Sequence, residues 1–122
     1  MVKLAVPETE SAALWAFLER RPARATSVVT QVEACRSLRR AAAGPKAEAR
    51  LEDLIRGLSW LELSGEIRRI AGLLQPTTLR SLDAIHLASA LALGEDLAGM
   101  VVYDVRLAAA ASALGIAVWA PK

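Results

Sequence analysis

Apolar and polar positions along this chain fall into blocks whose period switches repeatedly between helix-like and strand-like. The densest apolar block is residues 79–91. Leu82, Ile85 and Ser89 lie on one helical line there, and Leu87 and Leu91 on a second, so the pattern predicts a helix buried on several sides and stopping near Gly94. A single carboxylate, Asp83, sits inside this apolar cylinder near its expected start. A charge placed beside a core needs a partner, a metal or a wet cleft, so function is sought here first.

The rest of the chain reads around that helix. Residues 1–6 are short and apolar, and Pro7 stops them from running directly into a helix. Thr9, Glu10 and Ser11 open a helix whose apolar face is Leu14, Phe17 and Leu18, with Trp15 beside them. It ends near Arg20-Arg21-Pro22. A brief strand over 25–28 leads to a helix over about 30–42, predicted to bury Val32, Cys35, Leu38 and Ala42 and to be closed by Gly44-Pro45. The next helix covers about 46–58, with Leu51, Leu54, Ile55 and Leu58 at helical spacing, and a weak strand follows over 60–63. Ser64 reads as the N-cap of a helix carrying Ile67, Ile70, Leu73 and Leu74. Residues 100–103, a β-branched apolar run, are the clearest strand, followed at once by Asp104 and an Ala-rich helix over about 105–114. Residues 116–119 form the last strand. Short apolar strands alternating with longer helices predict one α/β domain, residues 1–122, with a largely parallel sheet.

Composition narrows the class. The 122 residues are 54% hydrophobic and 23% charged, which fits a globular core and excludes a disordered chain. The single cysteine, Cys35, excludes an intrachain disulfide, fits a reducing cytoplasm, and reads as a buried, inert thiol. No apolar run approaches the roughly 18 residues of a membrane span, and Pro7, Glu8 and Glu10 interrupt any signal-peptide layout, so a cytoplasmic protein without a membrane partner is expected. Charge is unevenly spread. Residues 20–50 carry eight Lys or Arg against two acids, a net of +6, while the whole chain carries +2 and the remainder therefore −4. Such a basic segment, with Arg36, Arg39 and Arg40 on a solvent side, suits a polyanion, although solvated helix faces would look the same.

Three acids stand out: Glu33, Asp83 and Asp104. Each has an ordinary structural explanation. Asp104 can cap the helix it precedes, Asp83 can favour a helix dipole from the first turn, and Glu33 can be a polar residue of a half-exposed helix. Carboxylates gathered at the carboxyl edge of a parallel sheet, without a Cys or His cluster, would instead form a hard-oxygen site for Mg²⁺ or Mn²⁺. His86, the only histidine, shares a helix face with Asp83 and reads as a hydrogen-bonded core histidine rather than a general base. There is no zinc spacing, phosphate-binding glycine loop or Gly-x-Ser-x-Gly elbow. Trp15, Trp60 and Trp119 read as core or interface residues.

The segments Leu-Arg-Ser-Leu-Asp-Ala-Ile-His-Leu-Ala-Ser-Ala at 79–90, Val-Val-Tyr-Asp-Val-Arg-Leu at 101–107 and Thr-Ser-Val-Val-Thr-Gln-Val-Glu-Ala-Cys-Arg at 26–36 resemble, in order, motifs of PIN-domain ribonucleases, specifically VapC-type toxins of toxin–antitoxin pairs. Val-Lys-Leu-Ala-Val-Pro-Glu at 2–8 resembles the stretch after that family's first strand. The resemblance implies a PIN-like three-layer α/β/α sandwich and RNA cleavage dependent on Mg²⁺ or Mn²⁺. It makes Glu33, Asp83 and Asp104 metal-site acids and Arg80 a contact for RNA phosphate or antitoxin, while Arg36 and Arg39, from the basic segment, are further candidate RNA contacts. It further implies a small VapB-type antitoxin as partner and a homodimer. The family's first strand ends in an aspartate ahead of the Val-Lys-Leu stretch, and here the chain begins at Met1 inside the intervening turn. The resemblance therefore implies that the central first strand and one acid are missing, and that this form cleaves RNA poorly. Either Met1 is an internal residue of a longer active protein, the favoured account, or the chain is a truncated relic. The competing functional reading is an inactive PIN-like module that binds an antitoxin or operator complex.

Overall fold

In a computed structural model, which describes residues 11–122, the chain forms two compact units. The first runs to Leu61 and includes Pro121–Lys122, and the second is Glu62–Ala120. The expectations for residues 1–10 lie outside the described residues.

The first unit contains helix α1 (Ser11–Glu19), strand β1 (Ala25–Ser27), helices α2 (Val29–Arg40) and α3 (Pro45–Arg56), and strand β2 (Ser59–Leu61). Helix α1 buries Leu14, with Phe17 and Leu18 half-buried beside it. Just past its end, Arg21 lays its guanidinium 3.8 Å over the Phe17 ring and donates to the Phe17 carbonyl. Strands β1 and β2 pair in parallel, with Ala25 opposite Ser59 and Ser27 opposite Leu61. A parallel pair needs a crossover, and α2 and α3 supply it. Their core is Ala34, Leu38, Ala47 and Leu51, with Ile55 packed against it. Gly44 takes φ +88° just before Pro45, a left-handed conformation that glycine adopts without a Cβ clash, and Pro45 then starts α3.

The buried face of α2 differs from the predicted one. Thr30, Ala34 and Leu38 face inward, at i, i+4 and i+8, whereas Val32 is 61% exposed and Cys35 and Ala42 are also exposed. Thr30 tolerates burial because its hydroxyl bonds that of Thr26 at 2.6 Å, and small Ala34 lets α3 approach. Hydrophobicity alone favoured the valine and cysteine. Packing chose the small and internally satisfied residues.

The second unit contains α4 (Gly65–Leu73), α5 (Ser81–Leu93), a 3₁₀ turn (Gly94–Asp96), β3 (Met100–Val101), α6 (Val105–Ala113) and β4 (Val118–Trp119). Strands β3 and β4 pair in parallel, Met100 opposite Val118, with α6 as the crossover. Both pairings are parallel, in keeping with the α/β class expected from the sequence. The core of this unit joins Leu87 and Ala90 of α5 to Ala110, Ala111 and Ile116. As its sequence predicted, α5 is buried on several sides, through Ala84, Leu87, Ala88, Ser89 and Ala90. Ser89 sits there without penalty because its hydroxyl donates to the Ile85 carbonyl at 2.7 Å.

Four residues of the two units are more exposed than a core reading expects. Leu73 and Leu82, read as apolar-stripe residues, are 71% and 44% exposed. Trp15 and Trp60 are substantially exposed, which overturns the core reading for them and not the interface one, while Trp119 is packed. A Cβ on Gly99 would lie 2.6–2.8 Å from three carbons of the Trp119 ring, so this ring has room only because residue 99 is glycine. Among the described residues no helix is long and apolar enough to cross a membrane.

Candidate functional site

The second unit carries two of the three acids, each at a helix start. Helix α5 begins after Arg80, whose backbone is extended and whose side chain makes no cap bond, and Asp83 occupies the first turn. The aligned peptide dipoles favour a carboxylate there. Asp83 is half-buried and its neighbours Leu82 and Arg80 are exposed. Asp104 comes directly off the extended segment after β3 and is the N-cap of α6, its Oδ1 accepting from the Leu107 N–H at 2.9 Å. The capping explanation for Asp104 is thus correct as structure, and it uses one carboxylate oxygen of an exposed residue.

Topology relates the two positions. Helix α5 ends at Leu93, the 3₁₀ turn follows immediately, and the chain returns as β3, with Leu91, Met100 and Val118 packed on one cluster. That cluster joins the later half of α5 (Leu87, Ala90 and Leu91) to the first residue of β3 and the later half of α6 (Ala110 and Ala111), as a chain that turns back between α5 and β3 would. The start of α5, with Asp83, and the end of β3, with Asp104 beyond it, therefore lie toward the same end of the unit. Helix α4 packs along α5, and residues 74–80 join the two.

The third acid, Glu33, belongs to the first unit, half-buried on α2 beside buried Ala34. Glu33, Asp83 and His86 are all engaged by other groups of the protein. Within neither unit do three His, Cys, Asp or Glu side chains, among the described residues, gather into a group that could hold a metal ion. The oxygen chemistry of the acids nevertheless suits a hard divalent cation, and the cap at Asp104 leaves its second carboxylate oxygen for such a ligand.

The candidate RNA contacts differ among themselves. Arg36 and Arg80 are exposed. Arg39 is exposed as well, but its Nε lies 2.9 Å from Oε1 of Glu48, an ion pair that ties α2 to α3. An exposed pair of this kind is worth about 0.2–1 kcal/mol, little enough for an anionic ligand to compete. Sequence reading passed over Val105, which is 82% exposed immediately after Asp104. A signal was present: the inward line of α6 is Leu107, Ala110 and Ala111, and Val105 falls off it.

Comparison with known proteins adds a second line of observation. Residues 1–115 match the family described as PIN domain. Ribonuclease VapC46 of Mycobacterium tuberculosis (strain ATCC 25618 / H37Rv) is 42% identical over 125 aligned positions, covering 100% of this chain and 92% of that protein. Ribonuclease VapC35 of the same strain is 40% identical over 99% of this chain and 91% of its own length. Ribonuclease VapC47 of strain CDC 1551 / Oshkosh is 34% identical over the same shares. No solved structure gives a significant match. These relatives align along nearly the whole of their own length and of this chain, and the chain belongs to the PIN-domain family, in its VapC-type branch.

Proposed function

We propose that this protein is an endoribonuclease toxin of a toxin–antitoxin pair, cleaving RNA phosphodiester bonds with the help of Mg²⁺ or Mn²⁺. The observation that carries the reading is the near-full-length similarity to proteins named ribonucleases. Asp83 and Asp104 at one end of the second unit support it, because parallel sheets offer ligands the space beyond their strands' carboxyl ends.

In this reading Glu33, Asp83 and Asp104 are the acids that hold the cation. The ion, when bound, supplies charge neutralisation and water activation at the phosphodiester. Asp83 is held in place by a helix whose body is packed into the core, so its carboxylate keeps a fixed position. Asp104 is fixed by its bond to Leu107, which orients one oxygen and leaves the other for the ligand. Arg80, exposed at the start of α5, meets substrate phosphate, and Arg36 and Arg39 provide further cationic contacts from α2. A small VapB-type antitoxin covers the acids, and the toxin self-associates as a homodimer.

The test is expression of the chain alone, of the chain with Asp83→Asn, and of each with a candidate antitoxin, followed by cleavage assays with Mg²⁺, Mn²⁺ or EDTA. Growth arrest and cleavage that need both the cation and Asp83, and that the antitoxin suppresses, are expected. Antitoxin binding without cleavage under any of these conditions, also from a form extended by in-frame upstream codons, would leave the inactive binding module as the correct reading.

A further inference from the structure

The amino edge of the β1–β2 pair gathers arginines that none of the chemistry above uses. Arg24 directly precedes β1, Gly57 and Leu58 directly precede β2, and the Ser59 N–H donates to the Arg24 carbonyl at 2.9 Å. Arg20 and Arg21 enter the same edge from the end of α1, and Arg56 closes α3 beside Gly57. Glu33 stands on the helix that leaves the carboxyl end of β1, so within this unit the arginines hold the opposite edge.

Arg24 is the member that a structural role does not account for. It is half-buried, and its Nη2 lies 3.6 Å from where a Cβ on Gly57 would stand, so the guanidinium rests on the turn that ends α3. Its Nε is shut away from solvent and has no acceptor, and no carboxylate among the described residues pairs with it. The carboxyl end of α3 favours a cation through its dipole but supplies no bond to Nε. Buried donors are nearly always satisfied, and a half-buried charge without a counter-charge costs stability.

Its neighbours are cationic and either fixed or exposed. Arg21 is held over the Phe17 ring, and Arg20 is exposed. Arg56 meets Asp53 at 2.9 Å, but both side chains are exposed, so another anion can compete for the guanidinium. Residues 19–24 and 53–57 together carry four arginines against two acids, Glu19 and Asp53.

We propose that this edge is a binding site for a compact phosphate anion of the pyrophosphate class. Arg24 meets it through Nη1 and Nη2, and Arg20 and Arg56 take its outer oxygens. Guanidinium forks match phosphate oxygens in bidentate geometry, and an anion of two phosphates can engage arginines from both chain segments. The bound anion supplies the counter-charge that Arg24 lacks. Nothing in this site depends on the acids or on RNA cleavage. A free polyphosphate and the phosphate tail of a nucleotide carry the same group, and the experiment separates them.

Binding of inorganic pyrophosphate to the full chain is measured by titration calorimetry and thermal unfolding, at constant ionic strength. EDTA is present throughout, so that no divalent cation bridges phosphate to the acids. Pyrophosphate at tenfold excess over its Kd is expected to raise the melting temperature by about 5 °C. Arg24→Met should bind it at least tenfold more weakly, yet melt without the anion no lower than the parent, because the uncompensated charge is gone. Arg69→Met, which removes an exposed arginine of the second unit, should bind as the parent does. Equal affinity for tripolyphosphate and adenosine triphosphate would identify the free polyphosphate as ligand, and tighter binding of the nucleotide would identify its tail; either upholds the site.

Pyrophosphate that stabilises no more than sodium chloride of equal ionic strength overturns the proposal. Equal weakening by Arg24→Met and Arg69→Met does so too, since general positive charge would then explain the binding. Where Arg24→Met lowers the melting temperature of the free protein, the double variant Arg20→Met, Arg56→Met decides, because it replaces only exposed side chains. Severalfold weaker pyrophosphate binding by that variant upholds the site, and unchanged binding overturns it.

Discussion

Helices α5 and α6 begin a few residues from the two acids of the second unit, and they begin differently. Helix α6 is capped by Asp104, just as α4 is capped by Ser64, whose hydroxyl accepts from the Ile67 N–H at 3.2 Å. Helix α5 has Arg80 at the corresponding position, with no side-chain cap, and carries its acid one turn further in. One carboxylate therefore has a structural task that explains its presence, and a serine performs the same task elsewhere. The other is half-buried in a helix start that its cap residue leaves unassisted. An acid whose presence no capping bond explains is the stronger candidate for chemistry.

Four substitutions test this contrast. Asp83→Asn should have the largest effect, lowering metal-dependent RNA cleavage roughly a hundredfold or more, since the isosteric amide loses the charge that holds a cation. Its thermal unfolding should stay close to the parent's, and a collapse in melting temperature would show that Asp83 is mainly structural. Asp104→Ser comes next. Serine is as good an N-cap as aspartate, so stability should be kept while cleavage falls. Retained cleavage would reduce Asp104 to a cap.

Ser64→Ala provides the matching control, with a loss of about 1 kcal/mol in denaturant unfolding and no change in cleavage. Arg80→Ser should shift stability by less than Ser64→Ala does, and in the opposite direction. The extended backbone at residue 80, φ −67° and ψ 148°, already suits a cap, so serine there should stabilise by about 0.5–1 kcal/mol. The same change should weaken RNA binding and reduce its salt dependence if Arg80 meets phosphate. Binding that is unaltered at low salt would remove Arg80 from the interface.

A second contrast, between α2 and α5, shows where sequence reading succeeds. Helix α5 is apolar on nearly every side, so its burial followed directly from composition and period, and only its first turn, at Leu82, departs from the reading. Helix α2 mixes small, polar and branched residues, and its inward line had to be chosen. Counting hydrophobicity selected Val32 and Cys35. The fold selected Thr30 and Ala34, because a threonine with its hydroxyl satisfied by Thr26 and an alanine of small volume let two helices close on each other.

Local chemistry was enough to establish the alternation of elements, the caps at Ser64 and Asp104, the multi-sided burial of α5 and the order of motifs that the PIN-domain match bears out. Those properties depend on neighbours within a few residues and on the helical or strand period. Tertiary structure alone decided the inward face of α2, the dependence of the Trp119 ring on Gly99, and the exposure of Leu73, Leu82 and Val105. Each of these depends on what another segment, distant in the chain, leaves uncovered, and no local pattern records that.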